Sequence, residues 1–258
     1  MVQVPQRRAL GGPTLIRLLA RLADADVPAS RQSLSDRLSR WLAWTDAIAL
    51  SSALSMSPPA VAAGARAVGD DADSLGVRVR ASLAKAIART GAFSAGRDSG
   101  APAAARDASS DAPVDFTLFR HDYLSMQQAM EMDIGDLRGR LRQMMAARTP
   151  ALARLAVLDA TMERALAARE RNLLASVPKL LGAYFERLRQ AEQQRLADAY
   201  VDADADVNTE AEAQESAATV ASSAWLDAFR RDMQSVLLAE LEVRFQPVEG
   251  LLAALRAR

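Results

Sequence analysis

Three observations predict an all-α fold. The chain holds 55 Ala and 33 Leu among 258 residues, with only 5% aromatic. Ala and Leu lose little freedom on entering a helix, whereas β-branched and aromatic residues lose more. Apolar residues recur at spacings of three and four along the chain, and no segment alternates with the period of two that marks a strand.

A first helix starts at Pro13 or Thr14, with Leu15, Leu18, Leu19 and Leu22 on one stripe, and Pro28 closes the element. A second starts near Ser33, where Asp36 three residues on completes a capping box. Leu34, Leu38, Trp41, Thr45, Ile48 and Ser52 share its face, and it runs to about Ser55 before Pro58-Pro59 stops it. A short Ala-rich helix is expected over 60–68. Another follows over 72–90, with Leu75, Val79, Leu83 and Ile87 four apart.

Residues 92–114 are mostly Gly, Ala, Ser, Asp and Pro, too poor in apolar surface to offset the entropy of ordering, and read as a flexible linker. The strongest pattern comes next. Phe116, Phe119, Tyr123, Met126, Met130, Ile134, Leu137, Leu141 and Met144 form a nearly unbroken seam of alternating three- and four-residue steps. Thr149-Pro150 then supplies an N-cap and a proline at the first helical position. A second long helix carries Leu152, Leu155, Leu158, Met162, Leu166, Leu173, Val177, Leu181, Tyr184 and Leu188, with a kink expected at Pro178. The short connection makes the pair antiparallel.

Residues 198–224 carry seven acidic side chains and no basic one, so 198–222 reads as an acidic linker. A last helix covers about 223–246, with Trp225, Phe229, Met233, Val236 and Leu237 as its apolar face. Pro247 is expected to break it ahead of a turn holding Val248, Leu251, Leu252 and Leu255. The predicted organisation is thus a 13–91 N-terminal helical bundle, a 92–114 linker, a 115–197 antiparallel hairpin, a 198–222 acidic linker and a 223–258 C-terminal helical segment.

Composition excludes several chemistries. With no cysteine there is no disulfide framework, thiolate metal site or cysteine nucleophile. One histidine leaves no site built on two imidazole ligands. The 32 basic and 32 acidic residues cancel, which removes the bulk electrostatic case for nucleic acid. Thirty of the basic residues are Arg, a bias that high-GC codon usage produces without functional cause. Arg17 and Arg21 interrupt the apolar run of any signal peptide. The uncharged stretch 47–65 is broken by Pro58-Pro59 and reads as a soluble helix ending in a loop. A cytoplasmic protein that does not span a membrane is expected.

No phosphate-binding glycine loop or nucleophile elbow occurs. Asp202, Asp204 and Asp206 begin like a calcium loop, but Val207 stands where that loop needs Gly and Ala213 where it needs Glu. His121 lies off the seam and reads as a solvent-facing residue. Arg138, Arg140 and Arg142 read as a solvated flank, with phosphate binding the competing use. Trp41 and Trp44 read as core and core edge, or as a partner-binding anchor. No catalytic residue, cofactor or metal site is expected. The candidate interaction residues are Trp41, Trp44, Phe116, Phe119, Tyr123, Met130, Leu137 and Leu141.

Two stretches carry a family resemblance: Trp41 to Ser51, and Phe116 to Leu141 continuing through Leu158-Asp159-Ala160 and Val177-Pro178. Together they resemble an uncharacterised all-helical family from high-GC proteobacteria, known as a domain of unknown function. The resemblance implies no activity and no site residue. Such genes resemble neighbours of inner-membrane motor-like and OmpA-like proteins, which implies an accessory role near an envelope complex.

The leading expectation is a non-enzymatic scaffold or assembly protein acting through helix–helix contacts with a protein partner or a second copy. The seam from 116 to 144 is longer than a helix over 223–246 covers, so self-association is expected. Competing readings are an accessory subunit of a membrane complex, a nucleic-acid-binding helical protein, and a carboxylate-metal enzyme using Asp133, Asp136, Asp159 and Glu163.

Overall fold

The computed structural model describes residues 13–25, 32–56, 69–96, 115–204 and 211–257. Among these the chain forms eight α-helices and no strand: α1 (Thr14–Leu22), α2 (Leu34–Trp41), α3 (Trp44–Ser55), α4 (Gly69–Gly96), α5 (Phe116–Arg148), α6 (Pro150–Leu174), α7 (Val177–Asp204) and α8 (Ala211–Arg256). The all-α prediction holds. No helix of the described residues is long and apolar enough to cross a membrane.

α5 and α6 form the expected antiparallel hairpin. Thr149 caps α6 by accepting from the Leu152 backbone N–H at 3.2 Å, and Pro150 opens the helix. Along α5 the buried side chains are Phe119, Tyr123, Gln127, Met130, Ile134, Leu137, Leu141 and Met145, with Phe116, Met126 and Met144 packed beside them.

The second long helix is not kinked at Pro178 but broken ahead of it. Pro178 cannot donate to the Leu174 carbonyl four residues back, and its ring crowds that oxygen. The chain instead turns through Ala175 and Ser176, and α7 starts at Val177. The expected helix over 33–55 is also two. Asp46 accepts the Ala43 backbone N–H at 3.0 Å, which starts α3 afresh after extended Leu42.

Pro247, by contrast, breaks nothing: α8 runs through it to Arg256. A proline inside a helix costs about 3 kcal/mol. Val248, Leu251, Leu252 and Leu255 beyond it are all buried, and at about 1.5–3 kcal/mol each their burial outweighs that cost. This longer α8 removes the premise of the self-association argument. The seam of α5 is covered within one chain by α4, α7 and α8.

The principal contacts of the 13–91 helices are with α5 to α8. α1 lies on α7 and α8, α3 on α6, and α4 on α8 and α5. Buried side chains of α1 and α4 share one apolar cluster with those of α5, α6, α7 and α8. Around the N-terminal part of α5, Phe116, Phe119, Phe185, Trp225 and Phe229 stack in tilted and edge-on pairs, Phe185 and Phe229 at 5.1 Å. Gly182 permits the close approach of α7 there, since a Cβ would sit 2.9 Å from the Phe116 ring.

Helical backbone enters both tracts expected as linkers. α4 continues to Gly96, α7 to Asp204, and α8 begins at Ala211. High alanine content favours that extension. Residues 97–114 and 205–210 lie outside the described residues, as does the short helix expected over 60–68.

α1 ends before Pro28, at a Schellman-type turn. The N–H of Ala25 bonds to the Ala20 carbonyl at 3.0 Å, and that of Asp24 to the Arg21 carbonyl at 3.2 Å. Asp24 has φ 50°, the left-handed conformation that glycine adopts without a Cβ penalty. Asp24→Gly is therefore expected to stabilise the fold by about 0.5–1 kcal/mol, read as a higher urea midpoint; a lower midpoint counts against this turn.

Candidate functional site

The break between α6 and α7 organises the polar interior. Pro178 leaves the Leu174 carbonyl without its helical partner. Gln127, at a buried position of the α5 stripe, donates its Nε2 to that oxygen at 3.2 Å. The same amide reaches both carboxylate oxygens of Glu240 at 3.0 Å. Tyr123 Oη donates to Glu240 Oε2 at 2.6 Å, and Arg244 Nε donates to Oε1 at 2.9 Å. Arg244 Nη1 continues to Glu170 Oε1 on α6 at 3.2 Å. Glu240 is 0% exposed, and a charge so buried persists only when paired and hydrogen-bonded. One carboxylate thus ties α5, α8 and the α6–α7 junction together.

The junction also creates a cavity. On its α7 side, α7 packs on α8 and closes over α5; on its α6 side, α6 does not run along α8 in the same way. A groove of about 830 Å³ remains, with α5 as floor and α6 and α8 as walls. Met130, Ile134, Met162, Leu166, Val243 and Pro247 give it an apolar lining. Arg138, Arg169, Arg171 and Arg244 alternate around it with Glu131, Asp159, Glu163 and Glu170.

Most of the groove's charges are matched. Arg138 and Arg142 reach across from α5 to Asp159 and Glu163 on α6, Arg138 Nη2 lying 2.7 Å from Asp159 Oδ1 and Arg142 Nη1 3.0 Å from Oδ2. Arg171 pairs with Glu131 at 3.1 Å. The arginines expected as a solvated flank are therefore partly buried interhelical clamps, except Arg140, which is exposed. Arg138 and Arg142 share a face one turn apart, and two acids four apart on α6 complement them. Asp159 and Glu163, two of the four acids named for the carboxylate-metal reading, are thus each paired with arginines. Among the described residues no cluster of three or more His, Asp or Glu could hold a metal ion.

The candidate interaction residues divide into two groups. Phe119, Tyr123, Met130, Leu137 and Leu141 are buried in the common core, and Phe116 packs against it. Met130 alone of these lines the groove. Trp41 stands at its edge under the Arg169 guanidinium, 5.5 Å from the ring centroid. Trp44 is 80% exposed on α3. His121 is exposed, as expected. Sequence reasoning missed Gln127, Glu240 and Arg244, although each is a polar residue at a core position of an apolar stripe.

A family model described as "Protein of unknown function (DUF3348)" matches residues 1–257. The chain belongs to the DUF3348 family. No curated protein and no solved structure matches it. DUF3348 membership assigns no activity, so the site rests on this chain's own geometry.

In this DUF3348 chain two phenols titrate above their ordinary range. Burial, then the neighbouring Glu240 charge and hydrogen bond, pushes Tyr123 up. Tyr184 donates to Asp232 Oδ2 at 2.6 Å and is pushed from 10.0 up to about 12, by burial first and then by that bond. The folded state thus favours the neutral phenols. Their contribution to stability is complete below the unfolded pKa of about 10 and is lost as pH rises through the folded values. Urea midpoints are expected to fall between pH 10 and 12, and Tyr184→Phe to make that fall shallower; an unchanged slope in the variant contradicts this assignment.

Proposed function

We propose that this protein is a non-enzymatic helical scaffold or assembly protein that receives a partner helix in the groove between α6 and α8. The observation that carries the reading is the groove itself. It is an open, largely apolar trough where a packed bundle would place another helix, and a buried polar network ties its floor and walls together at the α6–α7 end. Four-helix bundles fill such a position with a helix from the same or another chain. Placement in the cytoplasm and at an envelope complex are parts of the same proposal, supported by the sequence resemblance.

The test is in-cell photo-cross-linking in the source organism. A photoreactive amino acid at Leu166, in the groove, is compared with one at exposed Arg154 on the same helix. A defined protein adduct from position 166 alone is expected. Equal labelling from both positions, or none from 166, contradicts the reading.

A further inference from the structure

We infer that the groove takes α6 of a second copy, so that two chains pair through an antiparallel α6–α6 contact about a two-fold axis; this rests on the groove reading above. The α5 seam plays no part in it, being covered within one chain. The buried residues of α6 are Ala153, Ala156, Thr161 and Leu174. Its larger apolar side chains are not used up internally: Leu155 and Leu173 are 37% and 52% exposed, and Met162 and Leu166 line the groove. Asp159 and Arg169 also line it, and in chain order these six residues are spaced by 4, 3, 4, 3 and 4. That is the a/d spacing of a coiled coil, with one acid and one base set into the seam.

The order of the seam decides the partner. In an antiparallel pair each a position meets a d position of the other helix. A two-fold axis passing at Arg164 sets Leu155 against Leu173 of the second copy, Met162 against its Leu166 and Asp159 against its Arg169, and the symmetry repeats each layer once. Apolar meets apolar and acid meets base in that one register. A shift by one heptad sets Asp159 against Met162 or Arg169 against Leu166. A parallel pair sets Asp159 against Asp159 and Arg169 against Arg169. The match is one of this helix with itself, which favours a second copy over an unrelated helix. The local charges allow it. Among the described residues Arg169 forms no ion pair and rests on the Trp41 ring. Asp159 accepts Arg138 at one oxygen and Arg142 at the other, and a carboxylate has about four acceptor sites, so a third guanidinium displaces neither. From Leu155 to Leu173 the seam is about 27 Å long at 1.5 Å per residue, or about five turns.

The experiment follows the mass of the full-length chain by light scattering over a concentration series. A dimer is expected. Arg169→Glu should weaken it about tenfold or more, since it turns both acid–base layers into acid–acid ones, while Arg169→Lys should stay within about threefold. Leu166→Asp should give a monomer with its helicity retained. Orientation is read by double electron–electron resonance, one spin label per chain. The chain has no cysteine, so a single introduced thiol carries the label at exposed Arg164 or exposed Arg154. The two labels of a dimer lie level along the helix axis at position 164 and about 30 Å apart along it at position 154, so the second distance is clearly the longer. Equal distances at the two positions, or a dimer that Arg169→Glu leaves unchanged, overturn the inference. A wild-type monomer at high concentration overturns it as well. In that case an adduct with another protein from position 166 leaves the groove reading standing, and the absence of any adduct removes both.

Discussion

Leu137→Asp is expected to abolish the folded state at 25 °C. Leu137 is 1% exposed and belongs to the common core shared by α4, α5 and α8. A carboxylate there loses its hydration inside an apolar core, at a cost of several kcal/mol, and the leucine's own burial is lost as well. Domains are stable by only about 5–15 kcal/mol, so the sum removes most or all of that margin. Circular dichroism in a urea series is the measurement, with Trp44→Asp as the control. Trp44 is 80% exposed, and its substitution should shift stability by no more than about 0.5 kcal/mol. A Leu137→Asp protein that keeps the wild-type midpoint would mean that the α5 seam is not covered within the chain.

Arg244→Met is the second large effect, expected to destabilise by about 3–5 kcal/mol. It leaves the fully buried Glu240 carboxylate with only the neutral donors Tyr123 and Gln127. The penalty comes mainly from the orphaned charge, since a methionine fills much of the space. The double variant Glu240→Gln with Arg244→Met should therefore recover a good part of the loss, because glutamine keeps an acceptor for the Tyr123 hydroxyl and carries no charge. Additive losses in the two single variants and the double one would show that the pair is not coupled.

The sequence shows the fold class and the hairpin clearly, because those features are local. A seam of threes and fours, a Thr-Pro start and a Ser33–Asp36 capping box each depend on residues within one or two turns. Asp36 does accept the Ser33 backbone N–H, and Ser33 the Asp36 backbone N–H. Pro178 and Pro247 show where local rules stop. Both are helix breakers by type, yet one ends a helix and the other is carried inside one. The difference lies in tertiary partners: Gln127 accommodates the break at Leu174, while four buried apolar residues beyond Pro247 keep α8 helical.

The polar site was half legible for the same reason. Gln127 follows Tyr123 by four positions, and Arg244 follows Glu240 by four, each in line with buried neighbours. Periodicity alone flags them as polar residues on an apolar face. That they meet one another depends on α5 and α8 lying side by side, which no short-range pattern encodes. The groove is less legible still, since it arises where α6 fails to follow α8, and absence of a contact leaves no mark in sequence.

The central claim is that α6 stands away from α8 while α7 packs on it. Double electron–electron resonance measures this with spin labels at Ala167 and Gln246, across the groove, and at Ala183 and Arg231, across the α7–α8 contact. The account predicts a single groove distance clearly longer than that of the α7–α8 pair, where packed helix axes are about 8–10 Å apart. Equal distances for the two pairs, with α6 closed onto α8, would contradict it.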